Sequence, residues 1–275
     1  MANLYYKQHW INIEPERVAA YDQILAYRPA LEPLIGTLNL GPGLKVLDVG
    51  SGPGYTTMEL ARRVGASGRV TGVDINADFV AAATKRAREN NLGIEFVRSE
   101  FPPLPFPDSA FDRVLCKNVL EYVDSAARTV AEMARVAVKG GVVVAIDSDW
   151  DMLALDLPEP ARERSERVIA AAKSVAVKEP KIGRRLYGIF RTSGLSDVKV
   201  DVYGGGDTSG RVLSMLKISQ AQYARDSGLL APGEVDQWLR DIDTAIAEGT
   251  FFFAMPQFVV RGIKHSRASQ PAETE

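Results

Sequence analysis

From residue 45 to residue 147, short apolar runs alternate with longer stretches whose apolar positions recur at helical spacing. Val46, Leu47 and Val49, interrupted only by Asp48, read as a short buried strand. Arg69–Val73, Ile94–Val97, Phe111–Cys116 and Val142–Ile146 read as four more. Between the strands lie predicted helices: one from Thr56 to about Val64, one with Val80, Ala83 and Ala87 on its apolar face, and one using Val130, Met133 and Ala137. Thr56 and Thr57, then Asn76 or Asp78, then Asp124 or Ser125 are the predicted caps of these three helices. Gly65 and Gly68, Asn91 to Gly93, and Lys139-Gly140-Gly141 are the predicted turns. Strands joined by crossover-length helices imply a mainly parallel sheet covered on both faces, an α/β fold.

The pattern continues with wider gaps. A helix over about Ile182–Ser193 ends at Gly194 and precedes a sixth strand, Val198–Tyr203. The long apolar segment Phe251–Ile263 would supply a seventh. Ahead of the first strand, Pro15 suits the first turn of a helix reaching Tyr27, and a short helix is predicted near Leu34–Leu38. Further helices are predicted near Glu159–Val177, Ser219–Asp226 and Glu234–Ala247. The expected organisation is a helical cap segment over 1–43, a main domain over 44–264 with cap insertions at about 151–180 and 204–249, and a polar, disordered tail over 265–275.

Composition narrows the function. The chain has 275 residues and a formal net charge of −2, which argues against a protein that tracks nucleic-acid phosphates. Cys116 is the single cysteine, set in an apolar strand, so it reads as a small core residue and no internal disulfide is available. With only His9 and His265, no histidine cage for a metal is expected. The N-terminal residues lack the basic start and apolar core of a signal peptide, and no apolar run is long enough to span a bilayer. A cytoplasmic protein, monomeric or homodimeric and without membrane insertion, is the expectation.

The chemistry gathers at the first strand's end. Gly50-Ser51-Gly52-Pro53-Gly54 leads into a helix whose first turn points unpaired N–H groups outward. The spacing is G-x-G-x-G, whereas a dinucleotide fingerprint wants G-x-G-x-x-G, and Tyr55 stands where the third glycine would. Asp48, two residues before the loop, would repel a pyrophosphate and suits a ligand that carries an amine. Asp74 ends the second strand about twenty residues on, the offset at which a carboxylate reaches a ribose; Ile75 follows it. Lys117 and Asn118 lie at the carboxyl end of the fourth strand, where ligands of open α/β sheets bind.

These motifs resemble those of class I S-adenosylmethionine (SAM)-dependent methyltransferases, whose glycine loop holds the methionine part of SAM. In a second motif of that family a loop acid meets the adenine amino group and the next residue flanks the ring; Glu100 and Phe101 occupy those places, though many relatives have Asp where this chain has Glu100. Leu104-Pro105-Phe106-Pro107-Asp108, with Phe111-Asp112 after it, resembles the UbiE-like branch, which methylates quinones and many other small molecules. Relatives often carry His near the position of Tyr122, where this chain has Tyr. The resemblance implies a Rossmann-like, doubly wound sheet of seven strands. An antiparallel seventh strand is inserted between the fifth and sixth, and the N-terminal and inserted helices form a cap. It further implies SAM as cofactor, held by Asp48, Gly50, Ser51, Gly52 and Gly54, by Asp74, Ile75, Glu100 and Phe101, and by Lys117 and Asn118.

The implied activity is methyl transfer to a small-molecule acceptor, aromatic, quinone-like or another specialised metabolite, at carbon, nitrogen or oxygen. Candidates for a base are His9, Tyr6 and Asp149, and candidates for acceptor contact are Tyr5, Trp10, Trp150, Tyr187 and Tyr223. The aromatic segment Tyr5 to Trp10 reads either as a cover over the ligand or as a cluster packed on the main domain. Asp147 to Asp151 either hold a cationic group or cap the following helix. Two other functions stay open at this point: an NAD(P)-dependent Rossmann oxidoreductase, which Asp48 and the missing glycine oppose, and a SAM-binding protein without catalysis.

Overall fold

Most of the apolar runs lie in one sheet because the stretches between them are long enough to cross back over a face. The computed structural model describes residues 5–13, 18, 21, 27, 31–211 and 213–265. The strands are β1 (Lys45–Val49), β2 (Arg69–Asp74), β3 (Ile94–Arg98), β4 (Phe111–Lys117), β5 (Ala137–Ser148), β6 (Ala154–Asp156), β7 (Leu195–Tyr203), β8 (Phe252–Ala254) and β9 (Gln257–Lys264). Seven form the main sheet in the order β3-β2-β1-β4-β5-β9-β7. β9 runs antiparallel to both neighbours, with Val144 opposite Arg261 and Val200 opposite Val260, and the other pairings are parallel. The antiparallel strand between the fifth and sixth is therefore present.

Helices cover both faces. α1 (Tyr5–Ile11) and α2 (Glu32–Gly36) precede the sheet; α3 (Tyr55–Val64), α4 (Ala77–Glu89) and α5 (Ala126–Val136) follow β1, β2 and β4; and α6 (Ala161–Ala176), α7 (Ile182–Thr192), α8 (Leu213–Asp226) and α9 (Glu234–Glu248) come later. Strand residues alternate between the two cores. Leu47, Val49, Val114 and Cys116 pack toward α5 and α7, which supply Met133, Leu186 and Phe190. Val46, Leu115, Val144 and Ile146 pack the other way, against Leu34 and Leu38 and against Leu60 and Val64 of α3. A third core, with Trp150, Val168, Tyr223, Trp238 and Phe253, joins the inserted helices to one another. Trp238 is wholly buried there and its Nε1 donates to Ser165 Oγ at 3.1 Å.

Several boundaries differ from the sequence reading. The predicted seventh strand is two: β8 pairs with β6 in a separate ribbon, and only β9 enters the main sheet. Pro256 between them has no N–H to continue a ladder. The glycine turn before the fifth strand is a bulge inside β5, where Gly140 has φ of 74° and the register against β4 slips. α3 begins after Gly54, with φ of 85°, so neither Thr56 nor Thr57 caps it; Thr57 turns its hydroxyl to Asp48 instead. Asn76 and Ser125 do cap α4 and α5, accepting from Phe79 N at 2.8 Å and Arg128 N at 3.3 Å. Most of the helix predicted from Pro15 to Tyr27, and the tail beyond His265, lie outside the described residues.

Candidate active site

A cavity of about 490 Å³ opens at the carboxyl ends of β1, β2, β4 and β5. Its floor is the glycine loop. Gly50 N and Ser51 N both donate to Val73 O, at 2.8 and 3.0 Å, which ties the loop to the end of β2. Asp74 completes the tie: its Oδ2 accepts from Gly52 N at 2.7 Å and its Oδ1 from Asn76 N at 2.9 Å. Gly50 has φ of 74°, and a Cβ there would stand 2.2 Å from Val119 Cγ2, so no other residue fits. Gly54 has a different use from its neighbours. A Cβ on it would meet Ala83 Cβ at 2.8 Å and Phe96 Cζ at 2.9 Å, so it serves packing behind the loop and does not line the cavity.

The floor is acidic. Asp48 is buried and accepts from Thr57 Oγ1 at 2.7 Å; burial pushes its carboxyl up to about 6, against the pull of Thr57 and of Lys117. Burial also raises Asp74, opposed by its backbone N–H donors. Lys117 is lowered by burial, with Asp48 and Asp147 acting the other way. Asn118 holds a left-handed φ of 54° and donates its backbone N–H to Ile146 O at 2.8 Å. Ser51 Oγ is buried without a hydrogen-bond partner among the described residues.

Ile75 and Phe101 line one wall, while Glu100 does not. The Glu100 side chain is 61% exposed and pairs with Lys7 of α1. Lys7 also reaches Asp124 at 3.2 Å, and Tyr6 Oη donates to Asp124 Oδ1 at 2.6 Å. Asn76 Nδ2 donates to Trp10 O at 2.9 Å, so α1 is tied to the turn after β2. Trp10 lines the cavity, its ring 5.0 Å from Tyr122 and 5.2 Å from Tyr21. Trp150 and Tyr223 line it as well.

Other sequence candidates fall elsewhere. Tyr5, Tyr6 and His9 stand behind the lining: His9 Nδ1 is 2.5 Å from Tyr5 O and its Nε2 is 3.2 Å from Tyr223 Oη. Asp149 is wholly buried outside the cavity, where Arg184 grips both its oxygens and Asp151 N donates to it at 3.1 Å. That pairing withdraws Asp149 as a base. Tyr187 is 46% exposed on α7, whose buried face is Ile182, Leu186 and Phe190, so it is not an acceptor contact.

The cavity also holds groups that the sequence reading passed over. Glu121, only 3% exposed, follows β4 and accepts from Trp150 Nε1. Burial first and then Asp147 hold its carboxyl well above the usual range. Asp147 is itself raised to about 7 by burial, although Leu120 N donates to it at 2.9 Å. Tyr21, Ser219 and Gln220 also line the cavity, contributed by segments nearly 200 residues apart.

The sequence profile of a methyltransferase domain matches residues 47–145, from the first strand to the fifth. An uncharacterised 37.1 kDa protein of transposon TN4556 from Streptomyces fradiae is 30% identical over 253 residues, covering 90% of this chain and 71% of that one. A ubiquinone/menaquinone biosynthesis C-methyltransferase UbiE from Bordetella avium is 35% identical over 113 residues, 41% of this chain and 44% of that one. The chain belongs to the class I SAM-dependent methyltransferases. The YcgJ protein of Bacillus subtilis shares the fold of this methyltransferase, with a TM-score of 0.59 at 18% identity over 86% of this chain and 98% of that one.

The cofactor of this methyltransferase is SAM. The donor set fits it, because a ligand bearing an ammonium and a sulfonium suits a floor with Asp48 and Asp74 and an unpaired serine hydroxyl. The Leu104–Asp108 segment of the family resemblance is held from α5, where Arg135 donates to Leu104 O at 3.0 Å and to Phe106 O at 2.9 Å. This clasp fixes the loop that carries Phe101. Among the described residues no group of side chains could hold a metal ion, and no helix is long and apolar enough to cross a membrane.

Proposed function

We propose that this protein is a cytoplasmic enzyme that moves the methyl group of SAM to a small, flat, largely apolar acceptor held beneath α1 and α8. The observation that carries the reading is one continuous cavity with an acidic, glycine-lined floor and an aromatic roof. In this reading residues 44–264 are the catalytic domain, and segments 1–43, 151–180 and 204–249 are its cap. Asp48, Ser51 and the Gly50–Gly52 backbone hold the amino-acid end of SAM. Asp74 takes the ribose hydroxyls, Ile75 and Phe101 flank the adenine, and Lys117 with Asn118 meets the carboxylate. Glu100, paired to Lys7 on the rim, is left to contact the adenine amino group only after that ion pair opens.

SAM supplies an activated methyl on a sulfonium that departs as a neutral thioether. The chain therefore has to align the acceptor, exclude water and receive a proton where the acceptor carries one. Alignment alone supplies up to about 7–11 kcal/mol of barrier reduction. Glu121 faces the cavity and is oriented by Trp150 Nε1; burial keeps its carboxyl protonated, so it serves as a hydrogen-bond donor to the acceptor and not as the base. UbiE relatives, named for ubiquinone and menaquinone biosynthesis, support a ring-shaped acceptor. Incubation with SAM and a panel of quinones, phenols and indoles, with S-adenosylhomocysteine read by mass spectrometry, tests the activity. Acceptor-dependent product is expected. SAM binding with no product from any acceptor would favour a non-catalytic binder, and NADH binding without SAM binding would return the chain to the oxidoreductases.

A further inference from the structure

α8 presents Ser219, Gln220 and Tyr223 to the cavity, and all three are buried. Two of them are satisfied. Ser219 Oγ lies 3.1 Å from Tyr21 Oη, Tyr21 Oη lies 3.3 Å from Tyr223 Oη, and Tyr223 Oη lies 3.2 Å from His9 Nε2. Gln220 is outside this chain of bonds. It is 1% exposed, and neither its Oε1 nor its Nε2 has a partner among the described residues. Trp10 Nε1, on the same cavity, is also buried without one. A buried primary amide with both atoms unpaired is costly, and native proteins rarely leave one so. A leucine would fill the same volume without the cost, so the amide is retained for something that enters the cavity.

A planar amide offers one donor and one acceptor side by side. Its complement is an edge carrying a carbonyl beside an N–H or O–H. The Trp10 ring stands 5.2 Å from Tyr21 and 5.0 Å from Tyr122, and all three residues line the same cavity, which suits a flat partner. We propose that Gln220 is the polar anchor of the acceptor subsite, pairing through both amide atoms with the edge of a planar ring of lactam type, with Trp10 Nε1 as a further donor. This rests on the methyltransferase reading above for calling the ligand an acceptor, while the pairing itself follows from the unpaired amide.

The test uses the full chain saturated with S-adenosylhomocysteine and three ring probes titrated by calorimetry: 2-quinolinone, its N-methyl derivative and naphthalene. 2-Quinolinone, whose N–H and carbonyl match the amide, should bind at least about tenfold more tightly than the N-methyl compound. Gln220→Leu should erase that preference, leave S-adenosylhomocysteine affinity unchanged, and raise the melting temperature of the free protein by about 2–4 °C. A residue with only a packing role would not exchange ligand preference for stability in this way. Equal affinity for the three probes, no binding of any of them, or a preference that survives Gln220→Leu would overturn the proposal. If S-adenosylhomocysteine fails to bind, the cofactor reading falls, and the comparison of 2-quinolinone with its N-methyl derivative on the free protein still decides the role of Gln220.

Discussion

Asp48 is ionised at neutral pH in a place that resists charge, and replacing it measures what the site gives up to hold a cation. Burial lifts its carboxyl from 3.8 to about 6. A gap of about two units at 1.36 kcal/mol each sets the cost near 3 kcal/mol at pH 7. The folded state keeps this proton to higher pH than the unfolded chain does, so the native protein loses stability as pH rises from about 4 to about 6. Asp48→Asn keeps an oxygen for the Thr57 hydroxyl and removes the charge. Urea unfolding of the free protein should show the variant more stable by about 3 kcal/mol at pH 7 and by about half that at pH 5. Titration with S-adenosylhomocysteine should show the opposite effect, a loss of at least about tenfold in affinity at pH 7, because the ligand's ammonium loses its counter-charge. A variant no more stable than the parent at pH 7, or one whose gain is the same at pH 5, would refute the argument that desolvation of Asp48 is a standing cost.

Asp74→Ala removes the acceptors of Gly52 N and Asn76 N as well as the proposed ribose contact, so cofactor affinity should fall by at least about tenfold in calorimetry; unchanged binding would reduce Asp74 to a loop brace. Lys7→Met breaks the pairs with Glu100 and Asp124 on the rim, and hydrogen exchange over residues 5–11 should quicken while the melting temperature barely moves, since half-exposed ion pairs contribute little. Unchanged exchange would mean that Trp10, packed on Tyr21 and Tyr122, anchors α1 by itself.

Local pattern was enough for the sheet because the central parallel strands are mostly buried and mostly apolar, so each reads as a short apolar run. It was not enough for β9, whose antiparallel placement came from the family resemblance, nor for the break at Pro256 that splits the last apolar segment. The floor was legible because Asp48, the glycines and Asp74 lie within thirty residues and their spacing is set by one strand-loop-helix unit. The roof was not. Aromatic content marked Tyr187 and Trp10 alike, yet only the packing of α7 against the sheet decides that Tyr187 faces outward. Asp149 looked available until Arg184, thirty-five residues later, closed on it. Glu121 and Gln220 gain their meaning from burial, which no local spacing reports.

Asn76 gives the site a property of a different kind. Its oxygen starts α4 by accepting from Phe79 N, and its nitrogen holds α1 through the carbonyl of Trp10, so the two ends of one amide serve two parts of the molecule. Aspartate at this position would begin the helix as well but has no N–H to offer the roof. Because the contact is made to main-chain oxygens, side chains along α1 are free to drift and reshape what the enzyme accepts. Position 76 is not, and over evolutionary time the roof's specificity has room to diverge around a fixed attachment.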